Sequence, residues 1–127
     1  MKRRVLLVED HPETMEVMRQ ELEFLGYDVT VAKDGIEAVE MATSEPPDMI
    51  VMDIIIPKMD GLQAVSQIRN NPKTQDIPIL AATALARPGD REKCLEVGCD
   101  GYIAKPFTYK QLGDAIERVL EAHIWRM

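Results

Sequence analysis

Five short apolar runs, at residues 5–8, 28–32, 49–52, 77–82 and 102–104, alternate along the chain with five amphipathic segments. Val5-Leu6-Leu7-Val8 and Met49-Ile50-Val51-Met52 are apolar without a break, the pattern of strands covered on both faces. Residues 28–32 alternate instead, with Thr30 between Val29 and Val31, which suits an edge strand. The run at 77–82 predicts a fourth strand, with Pro78 near its start, where a missing ladder donor is tolerated. Tyr102-Ile103-Ala104 gives a short fifth.

The intervening segments carry helical spacing. From Pro12, Met15, Met18, Leu22 and Leu25 recur every three or four residues, and Gly26 supplies a stop. Ile36, Val39, Met41 and Ala42 mark a second helix, ended by Glu45-Pro46-Pro47, and Leu62, Val65 and Ile68 stripe a third that ends before Pro72. The fourth has the thinnest stripe, Cys94, Leu95 and Val97, with Pro88 and Gly89 where it should begin. Leu112, Ile116, Val119 and Leu120 line the last helix. The repeated βα unit predicts one α/β domain, a doubly wound (βα)5 fold with a five-stranded parallel sheet and helices on both faces.

Composition narrows the class. A chain of 127 residues, 46% hydrophobic and 29% charged, has the size and balance of one globular domain. A net charge of −7 argues against direct binding of nucleic acid, and the basic cluster Lys2-Arg3-Arg4 is too short to change that. The first apolar run stops at Glu9, too soon for a signal peptide, and no run approaches a membrane span of about 18 residues, so a cytoplasmic protein is expected. Cys94 and Cys99 form no CxxC motif and read as buried or half-buried free thiols.

The candidate chemistry lies just past the strands. Glu9-Asp10, Asp53, Thr83 and Lys105 each follow or close an apolar run, and in a parallel sheet such positions converge in the crevice outside the carboxyl ends of the strands. In the order 2-1-3-4-5 the first and third strands are neighbours, which brings Glu9 and Asp10 beside Asp53. Carboxylates within about 4 Å repel by roughly 4 kcal/mol per pair at an effective dielectric of 20, so a cation belongs there. Lys105 is one candidate and a hard, oxygen-liking ion such as Mg²⁺ the other. Each acid also has a plainer reading, Asp10 as a helix cap and Asp53 as a cap of the following turn. His11, alone beside the acids, reads as a surface side chain. With a metal, a hydroxyl and an amine nearby, a carboxylate can be a nucleophile that forms an aspartyl phosphate.

Two rival classes fit poorly. A phosphohydrolase with an aspartyl nucleophile would carry a second Asp two residues on, where Ile55 stands. A nucleotide or flavin binder would place a Gly- or Ser/Thr-rich loop after strand one, where Glu9-Asp10-His11-Pro12 would repel phosphate.

Four separated motifs in order, Val5-Leu6-Leu7-Val8-Glu9-Asp10, Asp53 with Pro57-Lys58-Met59-Asp60-Gly61, Thr83-Ala84 and Lys105-Pro106-Phe107, resemble the CheY-like receiver domains of response regulators in two-component phosphorelay signalling. The strand order 2-1-3-4-5 is the flavodoxin-like order for which CheY itself is a known example. The resemblance covers about residues 2–122 of a single domain spanning 1–127, with 123–127 as a tail. It implies that Asp53 is the phosphoacceptor and that Mg²⁺ (or Mn²⁺) is held by Asp10 directly, Glu9 through water, Asp53 and the main-chain carbonyl of Ile55. Thr83 and Lys105 would contact phosphoryl oxygens, Tyr102 would follow Thr83 as a switch, and Lys105-Pro106 would be cis.

The implied function is a signalling switch without a turnover substrate. A histidine kinase or histidine phosphotransfer protein would donate, and the surface of helix four, strand five and helix five would control an unknown downstream protein, as a monomer or weak dimer. Ile55 and Leu85 are apolar at positions that influence phosphoryl lifetime, so slow hydrolysis is expected. Ile124-Trp125-Arg126-Met127 resembles no output domain, which leaves a stand-alone regulator or a receiver from a longer hybrid kinase or regulator. A receiver-like interaction module that works without phosphorylation is the remaining alternative.

Overall fold

The computed structural model describes residues 2–56, 58–84 and 87–125. Strands β1 (Arg4–Val8), β2 (Asp28–Ala32), β3 (Met49–Met52), β4 (Ile79–Thr83) and β5 (Gly101–Ala104) alternate with helices α1 (Pro12–Phe24), α2 (Gly35–Ser44), α3 (Gly61–Arg69), α4 (Asp90–Val97) and α5 (Tyr109–Trp125). All strand pairs are parallel and the order is β2-β1-β3-β4-β5. The expected fold class is therefore observed.

The uninterrupted apolar strands work as the pattern demands. Leu6, Val8, Ile50 and Met52 enter a core shared with Ala38, Ala42, Val65 and Ile68 on one face. Val5, Leu7, Met49 and Val51 enter a second core with Met18, Leu22, Leu112 and Ile116 on the other. Successive strand residues point to opposite faces, so both faces must be apolar, and burying a side chain of this size stabilises by about 1.5–3 kcal/mol.

Several boundaries differ from the sequence reading. β4 starts after Pro78 and includes Thr83, so the proline stands outside the ladder and the threonine ends the strand. In α2 the buried positions are Gly35, Ala38 and Ala42, while Ile36 is exposed, because α2 lies close on α3 and small residues suit that approach. α5 runs on through Trp125, so 123–125 belong to a helix rather than a tail. Pro57, Leu85, Arg126 and Met127 lie outside the described residues. Both cysteines are buried free thiols, and burial pushes Cys99 up to about 12. Among the described residues no helix is long and apolar enough to cross a membrane.

Candidate functional site

Strand register explains how the acids meet. Val8 pairs with Met52, and Met52 pairs with Ala81, so β1, β3 and β4 are level just before Glu9 and Asp53 leave the sheet. The Asp53 amide donates to the Val8 carbonyl at 2.9 Å, which extends the pairing one residue past the strand and sets Asp53 beside Glu9. On the far side, Thr83 pairs with Ala104 and its carbonyl accepts from the Lys105 amide at 3.0 Å. Lys105 must then reach back across β4, a span of about 10 Å from β5 to β3, which its long stem allows.

The ammonium closes the site. Lys105 Nζ donates to Asp53 Oδ2 at 3.0 Å and also to Glu9 Oε1. The Glu9 side chain is fully buried and that of Asp53 is 8% exposed, against 19% for Lys105. Burial opposes the charge on Lys105, but hydrogen bonds to Glu9 and Asp53 outweigh it and hold its pKa above the usual value. Glu9 Oε2 accepts from the His11 amide at 3.2 Å, and Asp53 Oδ1 accepts from the Ile55 amide at 3.0 Å. Asp53 thus does cap its own turn, with one oxygen, and keeps the other for Lys105.

Asp10 is different. α1 is capped by position 11 with no side-chain hydrogen bond, so the plain reading of Asp10 as a helix cap fails. Its Oδ1 is buried and has no hydrogen-bond partner, a costly state for a carboxylate oxygen. Ligand atoms of Glu9, Asp10 and His11 all lie within 4.8 Å of one another. Carboxylate oxygens with one left unsatisfied suit a hard divalent cation. Among the described residues Asp53 is outside that group, and its Oδ2 pairs with Lys105 at 3.0 Å.

His11 was given only a surface role by the sequence, and its side chain is indeed 75% exposed, yet Nδ1 stands 3.6 Å from Asp10 Oδ1 and 3.7 Å from Glu9 Oε2. Adjacency to the acid pair was the one available signal. Thr83 is fully buried at the end of β4. Tyr102 lies on β5 opposite Ala81, half-buried against the core on the α3 and α4 side rather than in the crevice, and burial raises its pKa. The Lys105-Pro106 bond is cis. A groove of about 410 Å³ lined by Val17, Met18, Glu21, Lys105, Pro106 and Phe107 runs from the site along α1.

The doubly wound order places the acidic crevice and its closing lysine at the carboxyl edge of the sheet, the place where open α/β proteins bind their ligands. Residues 5–117 match the family described as response regulator receiver domain, and the chain belongs to that family of two-component signalling switches. It resembles the receiver domain of sensor histidine kinase PA1611 from Pseudomonas aeruginosa, crystallised with a magnesium ion in its active site cleft, at TM-score 0.88 and 40% identity over 95% of this chain and 99% of that one. Chemotaxis response regulator CheY4 of Vibrio cholerae is similar at TM-score 0.88 and 30% identity, covering 94% of this chain and 99% of that one. Response regulator MprA of Mycobacterium ulcerans is 40% identical over 112 residues, 88% of this chain and 47% of that protein. The chain spans about half the length of the curated relatives it matches.

Proposed function

We propose that Asp53 accepts a phosphoryl group from a phosphohistidine on a kinase or phosphotransfer protein, in a reaction that needs Mg²⁺ (or Mn²⁺). The observation that carries this reading is the buried Lys105 bridge between Asp53 and Glu9 beside an unsatisfied Asp10 oxygen. Asp10 would hold the cation directly, Glu9 through water, and Asp53 and the Ile55 carbonyl would complete the set. The cation supplies neutralising charge for the phosphoryl oxygens.

An Asp53 carboxylate oxygen attacks phosphorus, a P–O bond forms, and the P–N bond to the donor imidazole breaks with its electron pair returning to nitrogen. Lys105, freed from Asp53, pairs with a phosphoryl oxygen, and the Thr83 hydroxyl donates to another. The added charge and acceptors draw Thr83 inward, Tyr102 fills the space it leaves, and the α4-β5-α5 surface changes for a downstream protein. The protein acts as a cytoplasmic switch, with no direct contact to nucleic acid. A second reading, a receiver that belongs to a hybrid kinase, is favoured by the match to the PA1611 receiver over 99% of that chain.

Intact-mass measurement after incubation with acetyl phosphate, with Mg²⁺ or with excess chelator, tests the metal-dependent transfer. One phosphoryl adduct with Mg²⁺ and almost none with chelator is expected. An undiminished adduct in chelator would reject the cation assignment.

A further inference from the structure

The loop after β3 carries Asp53 and Ile55 away from the sheet, and two close contacts fix it. At its base the Gly61 amide donates to the Ile54 carbonyl at 2.9 Å, and a Cβ on Gly61 would lie 2.5 Å from Ile54 Cα and 3.0 Å from the Asp53 carbonyl oxygen. At its tip, Met59 presses on the start of α2, where a Cβ on Gly35 would lie 2.0 Å from the Met59 carbonyl oxygen. That overlap is with backbone, which no rotamer change relieves.

Asp34 makes the second bond between these parts. Its side chain is 11% exposed; Oδ1 accepts from the Glu37 amide at 2.8 Å and caps α2, while Oδ2 pairs with Lys58 Nζ at 3.4 Å. Lys58 is the described non-glycine residue with positive φ, at 67°, a strained conformation that persists only where surroundings hold it. One carboxylate therefore starts a helix with one oxygen and steadies a strained loop with the other. Ile55 sits between the base contact and the tip contact.

We propose that the Asp34-Gly35 corner is a positioning device that sets Lys58 and Met59, and through them the Ile55 carbonyl, for divalent cation binding. The cation part rests on the reading given under Proposed function. Neither residue touches the cation; they act through the loop, as outer-shell groups do when their loss weakens metal affinity by about 10–100-fold.

Gly35→Ala, Asp34→Asn and Gly101→Ala are compared by calorimetric Mg²⁺ titration, thermal unfolding and amide hydrogen exchange at Lys58, Met59 and Asp60. Gly101 is the control, since a Cβ there would meet Val119 Cγ2 at 2.6 Å, away from the crevice. Gly35→Ala is expected to weaken Mg²⁺ binding about tenfold or more and to speed exchange at the three amides. Gly101→Ala should lower the melting temperature and leave both unchanged. Asn at position 34 still caps the helix, so Asp34→Asn should keep a near-native melting temperature while Mg²⁺ binding falls a few-fold and loop exchange rises. Wild-type Mg²⁺ affinity and loop exchange in both Gly35→Ala and Asp34→Asn overturn the proposal, and if Gly35→Ala does not fold, Asp34→Asn alone decides. If the wild-type chain binds no Mg²⁺, the cation assignment falls by itself, and exchange in Asp34→Asn still decides whether the corner holds the loop.

Discussion

Lys105 Nζ stands 3.0 Å from Asp53 Oδ2 and donates at the same time to Glu9. One ammonium thus bridges two carboxylates that the β1–β3 register forces together, and offsets only one of their two charges. The site is a charge balance with an amine as its movable part. If Asp53 accepts a phosphoryl group as proposed, that group would take over one of the two bonds, and the change would reach β5 through Lys105.

Removing the amine should expose that balance. Lys105→Met leaves two buried carboxylates without their cation, and breaking such a pair from one side costs about 3 kcal/mol, the low end of the usual range because the lysine is partly exposed. Urea unfolding in chelator should show this loss, and added Mg²⁺ should restore part of it. Equal stability of variant and wild type in chelator would mean the pairing contributes nothing.

A second half-buried charge ties structural elements together. Arg69 donates to the carbonyls of Gly98, Gln75 and Ile77 and to Asp100 Oδ2 at 2.8 Å, tying the end of α3 to the starts of β4 and β5. Asp100 Oδ2 also accepts from the Ile79 amide. Arg69→Ala should cost about 3 kcal/mol in urea unfolding, since it removes the cation paired with the buried Asp100 carboxylate and the donor to three carbonyls. Acetyl phosphate labelling of the folded variant should stay at wild-type rate, because the clamp lies at the opposite edge of the sheet.

Acid should loosen the start of α4. Asp90 is held below its ordinary value of 3.8, first by the hydrogen bond from the Arg87 amide and then by the Arg87 side chain, against an opposing effect of burial. A carboxyl with a lowered folded pKa stabilises above its unfolded value and loses that contribution as pH falls through the folded one. Protection of the Asp90 amide, measured as exchange relative to the unstructured rate at the same pH, should therefore begin to fall below about pH 3.8 in the wild type, with acceleration meaning a rise in that ratio. In Asp90→Asn, which keeps a neutral acceptor, that acceleration should be absent.

Ile55 bears on how long a phosphoryl group would last. Its side chain is 54% exposed and offers no polar atom to orient an attacking water. Ile55→Asn should shorten the lifetime of the adduct about tenfold, a small share of what a positioned proton-transfer group supplies. Decay of the intact-mass adduct after donor removal measures it, and an unchanged lifetime would assign hydrolysis to other groups.

Much of this was legible in the sequence because strand period and strand ends are local signals. Unbroken runs at Val5-Leu6-Leu7-Val8 and Met49-Ile50-Val51-Met52 announced buried strands, and once those strands are neighbours the meeting of Glu9, Asp53 and Lys105 follows from register. Contacts between loops were not legible. Nothing in the letters of Gly35 and Met59 says that their backbones touch, and the unsatisfied oxygen of Asp10 depends on α1 being capped one residue later.

Everything proposed for the crevice depends on Asp53 as the phosphoryl acceptor. Wild-type protein and Asp53→Asn, each incubated with Mg²⁺ and acetyl phosphate, are compared by intact mass. A single phosphoryl adduct on the wild type and none on the variant is the expected result of that role. No adduct on a folded wild type, or an equal adduct on Asp53→Asn, would contradict it.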